Sequence, residues 1–296
     1  MSNAIFKGIA TALITPFKAD GSVDFEAYGR IIDWQIESGI DALVSCGTSG
    51  ENPTLSDAEH QAVLKFAVER TAGRVPLIAG TGSNDTRHTI EMTEYACSIG
   101  ADAVLVVTPY YNKATQNGLV QSFRAIADAS TVPVILYNVP SRTGCNIQPT
   151  TYLKLAEHPQ IKAIKEANGD IASVVETLSL VKGKLDLYSG NDDQIVPIMA
   201  MGGLGCISVL SNVIPKETCE IARRYFAGDI EGAAELQMRY MPLIRALFCE
   251  VNPIPAKAAM AAMGLCEDVL RLPMTPMEPA NRERLLSAMR KEGIIQ

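Results

Sequence analysis

The sequence contains no block of basic residues, and its 26 lysines and arginines are outnumbered by 33 aspartates and glutamates. The electrostatic footprint of nucleic-acid binding is therefore absent, and we expect no nucleic-acid partner. Three histidines lack the spacing of zinc ligands, so we expect no metal site. The sequence also has no Gly-x-Gly-x-x-Gly signature after its first strand-like run and no phosphate-binding loop of the Gly-x-x-x-x-Gly-Lys-[Ser/Thr] type.

The sequence also lacks closely spaced cysteine pairs and shows no pattern of a targeting segment. The seven cysteines form no Cys-x-x-Cys pair, and dispersed thiols in odd number favour a reduced, cytoplasmic protein over a disulfide scaffold. Residues 1–7 have no long apolar core, so we expect no secretory signal there. Residues 195–214 carry no charge over the length of a membrane span, but one proline and three glycines interrupt them. We therefore predict a buried helix running into a buried strand, and no membrane partner.

Eight short apolar runs rich in β-branched residues recur along most of the chain, with helix-like segments between them. The runs cover residues 9–14, 42–45, 76–79, 103–107, 132–137, 161–165, 185–189 and 206–210. Continuous apolar strands that alternate with helices predict a parallel sheet covered on both faces, and eight such units predict an α/β fold, the (β/α)8 TIM barrel. A doubly wound open sheet is the main alternative fold.

The strand signal stops after about residue 226. Residues 228–248, 253–263 and 279–293 indicate helices. We therefore predict a barrel domain over residues 1–226 and a C-terminal helical domain over residues 227–296. This extension is expected to serve packing or assembly and not to form a second catalytic unit.

Polar side chains gather at the ends of the predicted strands, where the active sites of such barrels lie. Lys165 ends the sixth run, Tyr137 ends the fifth with Arg142 shortly after it, and Thr48 follows the second. An amine beside a phenol and a guanidinium suits carbonyl chemistry through a covalent imine. This concentration of reactive groups indicates an enzyme.

Each of these residues also has a simpler interpretation. Lys165 could reach solvent or pair with Glu166, and Arg142 could be a surface charge. An imine-forming lysine must be neutral, and burial in an apolar barrel is the usual way in which the pKa of a lysine falls from about 10.4. Phenol and hydroxyl groups such as Tyr137 and Thr48 can relay protons, and an arginine beside an imine site suits a substrate carboxylate.

Four segments in this order resemble the dihydrodipicolinate synthase (4-hydroxy-tetrahydrodipicolinate synthase) family. They are Gly-Thr-Ser-Gly-Glu at 47–51, Tyr-Tyr-Asn at 110–112, Tyr-Asn-Val-Pro-Ser-Arg-Thr-Gly at 137–144 and Ile-Lys-Glu at 164–166. The resemblance covers essentially the whole chain. It implies a class I aldolase-type lyase that condenses pyruvate with L-aspartate 4-semialdehyde in the diaminopimelate and lysine pathway. It also implies a homotetramer built as a dimer of dimers, and no cofactor.

The resemblance assigns catalytic roles. It implies that Lys165 forms a Schiff base with pyruvate and that Tyr137, Thr48 and Tyr111 relay protons. Of these residues, Tyr111 is expected to reach the site across a dimer interface.

The resemblance also assigns substrate-binding roles. Thr48 and Ser49 match the residues that hold the pyruvate carboxylate, and Arg142 matches the residue that binds the carboxylate of the semialdehyde. Gly190 and Ile207 match positions whose backbone lines the site. Ser49 stands where the family commonly has threonine; it keeps the hydroxyl, so activity should survive.

A feedback site for lysine is a further implication of the resemblance. His60, Asn84 and Tyr110 match residues around that site. His88, however, stands where feedback-sensitive bacterial members carry a glutamate that would meet the inhibitor's ammonium. We therefore expect weakened or absent inhibition by lysine.

Two other functions compete with this one. N-acetylneuraminate lyase and the keto-deoxy-sugar-acid aldolases use the same lysine and tyrosine, but they generally lack the Ser-Arg-Thr-Gly segment found at 141–144. A non-catalytic barrel is expected to lose Lys165 or Tyr137, and both are present. The segment at 141–144 favours the synthase.

Overall fold

The computed structural model describes residues 4–296, so the first three residues of the segment 1–7 lie outside it. Eight parallel strands close into a barrel in chain order. They are Gly8–Ala12 (β1), Ala42–Ser45 (β2), Leu77–Gly80 (β3), Ala103–Val107 (β4), Val134–Asn138 (β5), Ile161–Glu166 (β6), Asp186–Ser189 (β7) and Gly205–Ser208 (β8). The predicted (β/α)8 barrel is confirmed, and the open doubly wound sheet is excluded because β1 pairs with β8.

Helices surround the barrel and continue beyond its last strand. They are Phe25–Glu37 (α1), Asp57–Thr71 (α2), Thr86–Ser98 (α3), Gln116–Ala129 (α4), Pro140–Thr143 (α5), Pro149–Leu155 (α6), Ile171–Val181 (α7), Ile195–Ala200 (α8), Pro215–Phe226 (α9), Ile230–Arg239 (α10), Met241–Leu247 (α11), Ile254–Ala262 (α12) and Pro279–Lys291 (α13). Helices α10 to α13 follow the barrel as the sequence indicated. The domain boundary at 226/227 stays a prediction.

Apolar side chains form two separate layers because successive residues of a strand point to opposite sides. In β6, Ala163 packs inside the barrel with Tyr137, Tyr188 and Ile207. The next residue, Ile164, packs in the larger cluster between the strands and the helices. This alternation sends Lys165 inwards, on the side of Ala163, and Glu166 outwards.

A pair of glycines begins the pairing of β1 with β8 that closes the barrel. Gly8 and Gly205 are paired residues of β1 and β8, and Gly205 has a φ of 147°. A Cβ on Gly205 would lie 1.7 Å from the carbonyl oxygen of Gly8. Only glycine permits this approach, so the two strands can pair here.

The structure confirms one local prediction and changes another. Residues 195–214 form α8 followed by β8, the predicted buried helix and strand. Within the described part of the chain, every helix is too short or too polar to cross a membrane. The helix expected over 228–248 is in fact two helices that meet at Tyr240. Pro242 explains the break, since proline lacks the N–H that would continue the hydrogen bonds of the first helix, whereas it is tolerated in the first turn of a new one.

Candidate active site

The parallel register of β5 and β6 places Lys165 beside Tyr137. The two residues are direct partners in the sheet, and Lys165 Nζ lies 4.1 Å from the centroid of the Tyr137 ring. Both side chains are buried, with exposures of 5% and 6%. The amine therefore faces the interior of the barrel at its carboxyl end, where the sequence predicted it.

A cavity of about 170 Å³ opens over this amine. Most of the predicted catalytic and substrate-binding residues line it, namely Lys165, Tyr137, Thr48, Ser49, Arg142 and Gly190. A second cavity of about 300 Å³ shares Thr48, Tyr137 and Arg142 and adds Tyr110. The structure thus brings together residues that follow or end β2, β5, β6 and β7 around one amine, and the larger cavity leaves adjoining space for a second molecule.

Gly190 makes room for the lysine. A Cβ at this position would lie 2.8 Å from Ala167 Cβ and 3.2 Å from Lys165 Cε. The Gly190 amide also donates a hydrogen bond to the Glu166 carbonyl oxygen, at 2.7 Å. The absent side chain therefore decides how closely the end of β7 can approach the end of β6.

The loop after β2 presents hydroxyl groups to the smaller cavity. Residues Thr48–Gly50 form a single 3-10 turn, and Ser49 is buried. Asn252 of the C-terminal extension donates from Nδ2 to Ser49 Oγ at 3.0 Å, and its carbonyl oxygen accepts from Arg142 Nη2 at 3.1 Å. Asn252 lines both cavities, and sequence reasoning missed it.

Behind this loop lies an ion pair that sequence reasoning also missed. Glu51 and Lys257 contact each other, and both side chains are fully buried. Burial lowers the pKa of Lys257, and the nearby Glu51 carboxylate opposes that shift. A signal was available in the sequence, because Lys257 is the one charged residue of the apolar helix α12. Such a charge in a buried helix indicates a partner.

Glu166 does not pair with the neighbouring lysine. Its carboxylate accepts hydrogen bonds on the outer side of the barrel, from Asn138 Nδ2 at 2.9 Å, Tyr152 Oη at 2.9 Å and the Asn168 amide at 2.9 Å. Burial raises the pKa of Glu166 to about 7, although these hydrogen bonds act in the opposite direction. The simple interpretation of Lys165 as the ionic partner of Glu166 therefore does not fit the structure.

Two of the residues predicted for catalysis and substrate binding, Tyr111 and Ile207, do not line either cavity. Tyr111 has a backbone φ of 69°, and it is 92% exposed in the isolated chain. Ile207 is buried among the inward-facing side chains of the barrel, while Val209, two residues further on, lines the smaller cavity. Their assigned roles stay predictions.

The residues predicted for lysine feedback are distributed around the loops after β3 and β4. His60 is buried, and its Nε2 lies 2.9 Å from the Gly80 carbonyl oxygen. Burial lowers the pKa of His60, and nearby His88 contributes to that shift. His88 Nε2 lies 3.8 Å from Asp57 Oδ1. The Asn84 carbonyl oxygen accepts from Asn112, and Tyr110 lines the larger cavity.

Comparison with known proteins connects this geometry to a family. The sequence profile of the dihydrodipicolinate synthetase family matches residues 5–292. The 4-hydroxy-tetrahydrodipicolinate synthase of Caldicellulosiruptor bescii is 52% identical over 291 residues, which cover 98% of each chain.

Solved structures agree with the sequence comparison. The chloride-inhibited dihydrodipicolinate synthase of Acinetobacter baumannii, complexed with pyruvate, superposes with a TM-score of 0.95 at 44% identity, covering 98% of this chain and 99% of the other. The enzyme of Cyanidioschyzon merolae with lysine bound gives a TM-score of 0.96 at 38% identity, covering 99% of this chain and all of the other.

Proposed function

This chain belongs to the dihydrodipicolinate synthetase family, and we propose that it condenses pyruvate with L-aspartate 4-semialdehyde through an imine on Lys165. It is a lyase, and the reaction belongs to lysine and diaminopimelate biosynthesis. The observation that carries the proposal is the buried Lys165 amine, 4.1 Å from the Tyr137 ring centroid, in a cavity also lined by Thr48, Ser49 and Arg142.

Imine formation is the first part of the reaction. Lys165 Nζ adds to the C2 carbonyl carbon of pyruvate and gives a carbinolamine. The C2 oxygen then leaves as water, and protons reach it through the hydroxyl groups of Tyr137 and Thr48, which line the same cavity. Loss of a proton from C3 converts the imine to an enamine.

Carbon–carbon bond formation and release complete the reaction. The enamine C3 attacks the aldehyde carbon of the semialdehyde, whose oxygen takes up a proton, and the imine at C2 forms again. The amino group of the former semialdehyde then adds to C2 and its proton passes to Nζ, and the C2–Nζ bond breaks as a C2=N bond to the ring nitrogen forms. This step returns Lys165 as a free amine and leaves a six-membered ring.

Two carboxylates need separate binding groups. The Ser49 hydroxyl and the Thr48–Gly50 turn lie at the smaller cavity and suit the carboxylate of pyruvate. Arg142 lies at the exposed rim of both cavities and suits the carboxylate of the semialdehyde. Replacing Arg142 with alanine should weaken semialdehyde use much more than pyruvate adduct formation, and equal loss of both would refute this assignment.

The decisive experiment traps the imine. The protein is incubated with pyruvate and borohydride, and mass spectrometry locates the reduced adduct. We expect a pyruvate adduct on Lys165 in the unaltered protein and none in Lys165→Ala. Absence of an adduct from the unaltered protein would defeat the proposed mechanism.

Substrate identity needs a second assay. Turnover with pyruvate and aspartate semialdehyde is compared with cleavage of N-acetylneuraminate and of keto-deoxy-gluconate. We expect turnover only in the first reaction. An adduct on Lys165 combined with cleavage of either sugar acid would assign the chain to a sister function instead.

We further propose a cytoplasmic homotetramer built from two dimers. Exposed apolar side chains support an assembly, because Tyr111, Val175 and Met238 are 92%, 51% and 64% exposed in the isolated chain. All seven cysteines, each within the described residues, are free thiols, which supports a reducing compartment. Sedimentation velocity measures the assembly, and a monomer at micromolar concentration would contradict it.

A further inference from the structure

A buried ion pair joins the C-terminal extension to the loop that receives pyruvate. Lys257 of α12 donates to the carboxylate of Glu51, 206 positions earlier, and neither side chain is exposed. Lys257 Nζ also lies 4.1 Å from the centroid of the Phe17 ring. The second Glu51 oxygen accepts from the Arg271 amide at 3.2 Å. Two segments of the extension therefore hold this one carboxylate.

Glu51 fixes the end of the Thr48–Gly50 turn. Its φ of 54° and ψ of 33° are left-handed, a conformation that residues other than glycine rarely adopt. Its amide donates to the Thr48 carbonyl oxygen at 3.2 Å, and its own carbonyl oxygen accepts from the Thr54 amide at 3.0 Å. Without an anchor on the side chain, this backbone would be free to relax to a commoner conformation.

The same part of the extension reaches the cavity directly. Asn252, five residues before Lys257, donates to Ser49 Oγ at 3.0 Å and accepts from Arg142 at its carbonyl oxygen. One short segment therefore holds the turn at two points: Asn252 binds the Ser49 hydroxyl, and Lys257 binds Glu51, the residue that follows the turn.

Stability alone is a weak explanation for this pair. Burying two charges costs about as much as their attraction returns, and hydrophobic replacements of similar volume are often neutral or stabilising. A pair of fixed geometry beside a left-handed residue instead suits the positioning of the adjacent backbone.

We propose that Lys257 is a positioning residue for pyruvate: by holding Glu51 it keeps the Thr48–Gly50 turn in the conformation that receives the pyruvate carboxylate. This inference deepens the proposed function and rests on it.

The test uses three variants of the full-length chain: Lys257→Met, Glu51→Gln and the double variant. For each we measure the melting temperature, the KM for pyruvate and for semialdehyde, and the pyruvate concentration that gives half-maximal trapping on Lys165. Lys257→Met should lower the melting temperature because it leaves a buried carboxylate unpaired. The double variant should recover most of that loss.

The two substrates should respond differently. We expect the double variant to need about tenfold more pyruvate for half-maximal trapping, with the KM for semialdehyde changed less than about twofold, because a small displacement of a positioning group weakens one contact. Recovered melting temperature with unchanged pyruvate dependence would overturn the proposal, and so would equal changes in both KM values.

If Lys257→Met and the double variant fail to fold, Glu51→Gln alone keeps the test decisive, because it keeps the shape of the side chain and removes the charge that holds it to Lys257. Its pyruvate concentration for half-maximal trapping and its KM for semialdehyde are compared with those of the unaltered protein, as for the double variant. The matched control is Arg239→Met with Glu292→Gln, which removes an ion pair of 3.0 Å between the end of α10 and the residue that follows α13, and neither residue lines either of the two cavities. This control should leave pyruvate dependence unchanged. Absence of any Lys165 adduct in the unaltered protein would instead refute the proposed function itself.

Discussion

At the scale of single residues, the site depends on what surrounds Lys165 more than on the lysine alone. The centroid of the Tyr137 ring lies 4.1 Å from its amine, and Gly190, which has no side chain, lies beside its Cε atom. Glu166, its neighbour in sequence, points away to the outer side of the barrel. The amine is thereby left free to meet a carbonyl compound that enters the cavity.

Gly190→Ala tests this arrangement. The new Cβ would lie 3.2 Å from Lys165 Cε and 2.8 Å from Ala167 Cβ, so the lysine or the end of β7 must shift. We expect a loss of about 1–3 kcal/mol in the free energy of unfolding, typical of an overpacked site, together with slower trapping of pyruvate on Lys165. Chemical denaturation and timed borohydride trapping measure the two effects.

Gly118→Ala is the control for this substitution, because Gly118 lies in helix α4 away from both cavities and a Cβ there meets only local atoms, Thr115 Oγ1 at 3.3 Å and Ala114 Cβ at 3.6 Å. Thr115 Oγ1 caps this helix by accepting from the Gly118 amide, so the substitution perturbs a local contact but should leave the rate of pyruvate trapping unchanged. A Gly190→Ala protein that traps pyruvate at the normal rate would contradict the role assigned to the missing side chain.

His88 tests the feedback prediction. A histidine beside Asp57 lacks the negative charge that would attract the ammonium of lysine. We expect lysine to inhibit the unaltered protein weakly and His88→Glu at least about tenfold more strongly, since a hydrogen bond to a charged group contributes about 1.5–3 kcal/mol. Initial rates over a lysine series measure this difference, and identical inhibition curves would show that His88 does not determine sensitivity.

At the scale of secondary-structure elements, helix ends and strand ends are fixed by specific hydrogen bonds. A capping box begins α2: the Glu59 amide donates to Ser56 Oγ, and the Ser56 amide donates to Glu59 Oε2. Arg271 of the extension holds the same glutamate, at 2.6 Å. The contact with Arg271 lowers the pKa of Glu59 to about 2.

Ser56→Ala should therefore reduce stability without affecting chemistry. Loss of the cap is expected to cost about 1 kcal/mol, because the Glu59 amide then lacks its partner. Ser179→Ala is the matched control, since Ser179 is an exposed serine inside α7 that is not a cap. Thermal unfolding of both variants provides the comparison, and equal melting temperatures would contradict the importance of the cap.

Glu166 lies buried between β5, β6 and α6, and this burial predicts a dependence of stability on pH. The folded-state pKa of Glu166 is raised from 4.5 to about 7, so between these values the folded protein binds a proton that the unfolded chain releases. The contribution of this group to stability is therefore complete below about pH 4.5 and is lost as the pH rises through 7.

Glu166→Gln removes this titration and keeps a side chain of the same shape. We expect the melting temperature of the unaltered protein, relative to Glu166→Gln, to fall as the pH rises from 5 to 8. Contributions of other titrating groups cancel in the difference. Parallel curves would show that Glu166 does not titrate in this range.

At the scale of the whole molecule, the catalytic residues predicted here do not all reach the cavities of one chain. Lys165, Tyr137 and Thr48 do, whereas Tyr111 is exposed. If a partner subunit supplies Tyr111, two inactive variants should complement each other when they are produced together.

Lys165→Ala and Tyr111→Phe form the informative pair. A heterodimer of these chains contains one site with both an intact lysine and an intact partner tyrosine. Random pairing makes about half of the dimers heterodimers, so about a quarter of all sites should be active. The control pairs Lys165→Ala with Thr48→Val, whose residues line the cavity of the same chain, and it should show no recovery. Absence of recovery in the first mixture, as in the control, would place Tyr111 in its own chain's site.

The sequence by itself determined the barrel and most of the candidate site. Apolar strands can be recognised from local composition, and the ends of all eight lie within two residues of their predicted bounds. Because barrel strands present their carboxyl ends to one face, a polar residue at a strand end can be assigned to that face from the sequence alone. Lys165 and Tyr137 were found in this way.

Only the tertiary structure decided which distant residues complete the site. Asn252 and Lys257 reach their partners across 203 and 206 positions, and no local pattern specifies which loop they meet. The outward orientation of Glu166 likewise depends on the pairing of β6 with its neighbours. Local patterns encode the periodicity of an element, but the contacts between elements are fixed only when the barrel closes and the C-terminal helices pack against it.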